Sequence, residues 1–323
     1  MSRDLTEFLD AELREPIRKM MAMMPPSNFD DLEATRAASK QQTAAMKKVT
    51  PDLPEIVYEN RTIPGPEGAP DIPVRIYRPR NQTKPLPGFL WIHGGGYIVG
   101  DIDSIDMMAQ QLTLAGDCVT VSVDYRLAPE HPFPAPLEDC YAALKWLNGN
   151  AEKLKVDASR IAVGGGSAGG GLAAGLSLLA RDRGEVTIIF QLLIYPMIDD
   201  RSTEPASDTL RDALFWTRKL NMLGWRSYLG KIPGRGKTKH YAAPARSNNL
   251  KGLPKTYICV GDQDLFAEED TVFASRLVAA GVSTELHLYP GGCHAFDSLV
   301  PDADVSKRFT ADIHRALRRA LHG

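Results

Sequence analysis

Gly165-Gly166-Ser167-Ala168-Gly169 carries the clearest chemical content in this 323-residue sequence. A serine flanked by small residues suits a turn tight enough to lift its hydroxyl clear of the backbone between a strand and a helix. So placed, it can attack a carbonyl carbon if a base takes its proton and a carboxylate orients that base. Upstream, His93-Gly94-Gly95-Gly96 offers backbone N–H groups with no side chains to block them. Such donors stabilise the oxyanion of acyl transfer, and losing one typically costs ~3–4 kcal/mol. His93 itself reads as the residue that holds this loop. Besides His93, only His294 among the histidines sits in a glycine-rich loop after an apolar run. His131, His287, His314 and His322 lie in a proline-rich segment, a strand, or in and near the last helix, and read as packed or solvated residues. For the acid, Asp264 competes with Asp262 and with Asp199 or Asp200, each of which follows a strand. Cys293 adjoins His294, but sequence neighbours rarely form a nucleophile–base pair, so it reads as structural.

The glycine turn admits two other readings. Gly164, Gly166 and Gly169 also fit a dinucleotide-binding loop, with Glu185 near the spacing of a ribose-binding acid. Against this, the loop follows a middle strand rather than the first, and Glu185 precedes the next strand instead of ending it. The third reading is close packing of helix on strand.

Positioning these groups is the task of the surrounding elements. Compact apolar runs at Ile56–Glu59, Pro73–Tyr77, Gly88–Ile92, Cys118–Val123, Arg160–Val163, Thr187–Ile194, Thr256–Val260 and Thr284–Leu288 predict strands. The first two read as an antiparallel pair, and the later ones have the texture of strands buried in a parallel sheet. Helical segments Ser104–Ala115, Leu137–Asn150, Ala168–Arg181, Glu268–Ala280 and Val305–Leu321 lie between and after them. The alternation predicts an α/β protein with a mostly parallel, doubly wound sheet of about eight strands. Ser167, Asp264 and His294 each fall just past a strand, so all three reach the carboxyl edge of that sheet.

Two stretches lie outside this rhythm. Residues 1–50 read as helical, with Leu5, Phe8, Leu9, Leu13, Ile17, Met20, Met21 and Met24 on one apolar face. The methionines could form an adaptable wall for ligands, although plain packing fits the pattern better. Residues 199–245 are too long for a simple loop and include a helical piece over Thr209–Leu229 with Phe215, Trp216 and Trp225. Together the two stretches predict a cap over a catalytic domain made of residues 51–198 and 246–323.

A formal charge of −2, 24% charged residues and no basic block argue against a nucleic-acid partner. No apolar run reaches transmembrane length and no secretory leader opens the chain, so no stable membrane anchor is expected. Four separated cysteines (Cys118, Cys140, Cys259, Cys293) suggest reduced thiols and a cytoplasmic protein. The usual metal-ligand spacings are absent from the sequence, so neither metal nor cofactor is expected.

The segments HGGGYIVGD (93–101), DYRLAPEHPFPAPLED (124–139), VGGGSAGGG (163–171), LIYPMIDDR (193–201), GDQDLFAEE (261–269) and YPGGCHAF (289–296) resemble the hormone-sensitive-lipase family of α/β-hydrolases, bacterial branch, in the family's own order. The resemblance implies an α/β-hydrolase fold with a helical cap. It also implies a serine carboxylesterase acting on short- to medium-chain esters through an acyl-enzyme. By position it makes Ser167 the nucleophile, Asp264 the acid and His294 the base, with the amides of Gly95, Gly96 and Ala168 as oxyanion hole. The chain departs from the family at Gly166, where many members carry an acid, at Ala295, where glycine is common, and at Leu265-Phe266 in place of Pro-Leu. The alternatives are an amidase or carbamate hydrolase with the same triad, or a non-catalytic ligand-binding protein on the same fold. Against the last stands the presence of His294. A small-molecule ester is the implied partner, and a homodimer is plausible by analogy of fold.

Overall fold

The computed structural model describes residues 4–23, 29, 31–202 and 213–323. Eight strands form one sheet: β1 Ile56–Ile63, β2 Ile72–Pro79, β3 Leu86–Ile92, β4 Val119–Val123, β5 Val156–Gly166, β6 Phe190–Ile194, β7 Lys255–Gly261 and β8 Thr284–Tyr289, in spatial order β1-β2-β4-β3-β5-β6-β7-β8. β2 runs antiparallel to both β1 and β4, and every other pairing is parallel. β3 and β4 are buried at every residue, so their continuous apolar sequences follow from helices covering both faces.

The helices are α1 Ala11–Met23, α2 Leu32–Val49, α3 Asp106–Gly116, α4 Ala135–Gly149, α5 Ala151–Leu154, α6 Ala168–Arg183, α7 Arg218–Leu229, α8 Ala267–Ala279, α9 Phe296–Leu299 and α10 Asp304–His322. Leu137, Leu144, Leu172, Phe273 and Leu277 bury α4, α6 and α8 against one face of the sheet with Leu90 and Ile258. Phe89, Trp91 and Tyr257 on the other face pack under Leu112 of α3 and Phe309, Ile313 and Leu317 of α10. Alternation along β3 divides Phe89 and Trp91 from Leu90 and Ile92 in this way.

Several boundaries differ from the sequence reading. The strand expected over Thr187–Ile194 starts at Phe190, where pairing with Ala162 and Lys255 begins. β5 starts earlier than expected, because Val156 already pairs with Leu86 before a register shift at Pro87 and Gly88. The N-terminal stretch is broken: Leu5–Phe8 forms a 3-10 turn, and α1 begins only after Asp10. Its buried face is Leu9, Leu13 and Ile17, while Met21 and Met23 are exposed. Met24 lies outside the described residues.

The helix expected over Thr209–Leu229 begins at Arg218, since the hydroxyl of Thr217 accepts the N–H of Leu220 at 3.3 Å and caps it there. Positions 209–212 lie outside the described residues. α2 buries no side chain of its own and is fixed by Arg36, whose guanidinium donates to the carbonyls of Ile98 (2.8 Å) and Ala128 (2.9 Å). No described helix is long and apolar enough to cross a membrane.

Candidate active site

Ser167 sits between the end of β5 and the start of α6 at φ 56°, ψ −122°, outside the regions an L-residue occupies freely. Such a residue costs on the order of 1–3 kcal/mol and persists only where its surroundings hold it. Here the Ser167 N–H donates to the Ile194 carbonyl at 2.9 Å, and the Ser167 carbonyl accepts from Gly171 and Met197, both at 3.0 Å. The turn needs its flanking glycines. A methyl group on Gly165 would fall 2.7 Å from the Ile92 carbonyl oxygen, and one on Gly169 would fall 2.8 Å from the carbonyl carbon of His93. Gly166 is different, because a methyl there would meet only the Tyr195 ring, at 3.5 Å.

His294 lies in the loop from β8 to α9. Its Nε2 is 3.1 Å from the Ser167 hydroxyl, and its Nδ1 is 2.8 Å from Oδ2 of Asp264. Asp264 follows β7, is fully buried, and its Oδ1 accepts the Phe266 N–H at 3.0 Å. An imidazole that donates Nδ1–H to Asp264 leaves Nε2 free to accept the serine proton. The rings of Tyr195 and Phe266 meet the imidazole edge-on at 4.8 and 5.4 Å, and Trp216 lies 6.3 Å away. Ala295 takes φ 60°, the left-handed conformation that suits glycine, so an alanine here carries local strain. Leu265 and Phe266 are both buried, and Phe266 is one of the rings holding His294.

The loop after β3 runs alongside the serine turn: a methyl on Gly94 would fall 2.8 Å from the Gly166 carbonyl oxygen. Gly95 and Gly96 hold φ 107° and 59°. Among the described residues, the N–H groups of Gly95, Gly96 and Ala168 donate to no other backbone carbonyl. That leaves them available to a ligand, with Ala168 at the positive end of α6. His93 is buried against the Tyr125 ring, stacked at 4.1 Å, and its Nδ1 donates to the Gly94 carbonyl at 2.8 Å. Burial lowers its pKa to about 4, which keeps it neutral. It therefore braces the loop, as read from the sequence.

The rivals are occupied elsewhere. Asp262 accepts the Gly291 N–H at 2.7 Å, Asp199 pairs with Arg201, and Asp200 pairs with Arg246. His287 lies between Glu285 and Asp312, and His322 contacts the Gly116 carbonyl. Burial pushes the Cys293 thiol up to about 12, so it is no thiolate at neutral pH. Glu185 follows the far end of α6, about 24 Å of helix from the glycine turn, and pairs with Lys145. It cannot bind a ribose held at that turn. Among the described residues, no group of three or more His, Cys, Asp or Glu could hold a metal ion.

Two groups at the site escaped the sequence reading. They are Tyr195, just past the end of β6, and Asp297, on α9, neither of which was singled out. Asp297 is buried three residues past His294 beside the Tyr195 hydroxyl, and burial pushes its carboxyl up to about 6. The hydropathy of their neighbours gives no signal for either role.

A sheet of this order with a serine turn after its central strand and a histidine loop after its last defines the α/β-hydrolase class, and a family model described as alpha/beta hydrolase fold matches residues 89–298. The chain belongs to that family, in its hormone-sensitive-lipase-like bacterial branch. Carboxylesterase NlhH of Mycobacterium tuberculosis is 36% identical over 95% of this chain and 96% of its own length. Esterase LipI of the same organism is 37% identical over 84% of this chain and 85% of its own. Among solved structures, a bacterial heroin esterase superposes with a TM-score of 0.92 at 39% identity, covering 98% of this chain and 99% of the other.

Proposed function

We propose that the protein is a carboxylic ester hydrolase working through an acyl-enzyme, with Ser167 as nucleophile, His294 as base and Asp264 as its orienting acid. The observation that carries this reading is the unbroken hydrogen-bond chain Asp264–His294–Ser167 at the carboxyl edge of the sheet. The similarity to carboxylesterases along nearly the full chain supports the ester as the bond cut. Ser167 attacks the ester carbonyl while His294 takes its proton, and the oxyanion rests on the amides of Gly95, Gly96 and Ala168. His294 then returns the proton to the leaving alcohol, and water repeats the sequence to free the acid.

In this reading residues 1–50 and 199–245 form a cap over the site. Short- to medium-chain acyl groups are the expected substrates. Four buried, unpaired cysteines support a cytoplasmic location. Exposed Val272, Val278 and Leu288 on α8 and the edge strand β8 support pairing of two copies there.

The test is hydrolysis of a series of p-nitrophenyl esters by the wild type and by Ser167→Ala. Turnover with short chains, falling on the order of 10⁶-fold in the variant, is expected. A wild type that cleaves no ester rejects the reading, and full activity in Ser167→Ala rejects the nucleophile.

A further inference from the structure

Trp216 stands at the reacting end of the site, yet no step above uses it. The chain delivers it through a strained turn in which Phe215 holds φ 63° and the Trp216 N–H donates to the Leu214 carbonyl at 2.8 Å. The indole is 7% exposed, and its Nε1–H donates to Oδ1 of Asn221, itself fully buried on α7, at 3.2 Å. Gly224 lets α7 come close, since a methyl there would fall 2.8 Å from the Gly96 carbonyl oxygen and 3.4 Å from the indole. The ring also fills the space where a side chain of Gly96 would begin, with Cζ2 2.7 Å from that point. The same ring lies 6.3 Å from the His294 imidazole, inclined by 38°. A rigid aromatic wall is thus fixed between the loop assigned to the oxyanion and the base.

A wall in contact with an oxyanion-binding residue lies close to the carbonyl carbon and remote from the end of an acyl chain. It is therefore placed to sense bulk on the carbon next to the carbonyl rather than chain length. We infer that Trp216 is a specificity-determining residue that excludes acyl groups branched at that carbon, that Asn221 is its positioning residue, and that the substrates are esters of unbranched acids. The inference rests on the ester-hydrolase reading above. A methyl group that a rigid apolar pocket cannot seat is worth ~10–200-fold in kcat/KM.

The experiment compares p-nitrophenyl butyrate, isobutyrate and hexanoate as substrates of the wild type, Trp216→Ala, Trp216→Phe and Asn221→Ala, each first checked for a cooperative thermal transition. Butyrate and isobutyrate have the same atoms and differ only in branching. The wild type should prefer butyrate strongly, and Trp216→Ala should shrink that preference ~10-fold or more, mainly through kcat. Trp216→Phe should fall between the two, and Asn221→Ala should move the ratio in the same direction by a smaller factor. The butyrate-to-hexanoate ratio should stay nearly constant throughout. An unmoved butyrate-to-isobutyrate ratio in folded variants overturns the inference, as does a shift confined to the hexanoate comparison. A change seen only between n-butyl and tert-butyl acetate, where the alcohol carries the branch, overturns it as well. A wild type inert toward all these esters removes the hydrolase reading beneath it, whereas turnover with an unmoved ratio removes this inference alone.

Discussion

The three groups proposed as the catalytic triad are each set by what surrounds the side chain. Asp264 has one oxygen on the imidazole and the other on a backbone N–H, so it can orient His294 without reaching for solvent. Asp264→Asn keeps the shape but disturbs the imidazole tautomer, and kcat is expected to fall ~10³–10⁴-fold with folding intact. Asp262→Asn should leave far more activity, because Asp262 holds only the Gly291 and Gln263 side of the loop. Steady-state kinetics on both variants separates the roles, and equal losses would reassign the acid. The cysteines follow the same local logic. All four are free and buried, so a thiol reagent should label none in the folded protein and all four in urea. Rapid native labelling of Cys293 with loss of activity would reopen its exclusion as a nucleophile.

Between elements, the decisive contacts are backbone against backbone where β3, β5 and α6 meet. A side chain at Gly169 would press on the Ile92 and His93 carbonyls, which cannot move without shifting β3 and the loop that follows it. Gly169→Ala is expected to cost about 1–3 kcal/mol of stability and to lower activity, whereas Gly166→Ala should change stability by about 0.5 kcal/mol or less. Urea midpoints of the two variants give the comparison, and similar values would mean the turn relaxes more than its geometry implies. A second tie joins sheet to helix: Arg75 of β2 and Tyr77 of the same strand both donate to Asp106 of α3, with all three buried. Removing one partner of such a buried charge pair costs about 3–5 kcal/mol, so Asp106→Ala should destabilise the antiparallel edge of the sheet. A melting temperature within error of the wild type would contradict this.

For the molecule as a whole, the buried acids set how stability responds to pH. The Asp297 carboxyl ionises near 3.8 when unfolded but is pushed up to about 6 by burial in the fold. Between those values the folded chain holds a proton that the unfolded chain has lost. Its contribution is therefore complete below pH 4, is lost as pH rises through 6, and stays lost above. Asp297→Asn should match the wild type near pH 4, exceed it at pH 7.5 by up to about 3 kcal/mol, and show a shallower slope between. Parallel pH slopes in urea unfolding would show that Asp297 ionises normally. Glu269 and Asp270 are also buried and pushed well up, so stability should decline further toward alkaline pH.

Sequence alone determined what depends on local rules. Runs of apolar residues fixed the strands, small residues around Ser167 fixed the tight turn, and the order of motifs fixed which strand ends carry Ser167, Asp264 and His294. Boundaries slipped where pairing or capping decided them, as at Phe190 and Thr217. Only tertiary structure shows what Asp264, Asp262, Asp199 and Asp200 each meet, since residues so alike differ only in their partners. It also decided the surroundings of His294. Tyr195, Trp216 and Asp297 come from three separate segments, and no periodicity within one segment encodes a meeting with the other two.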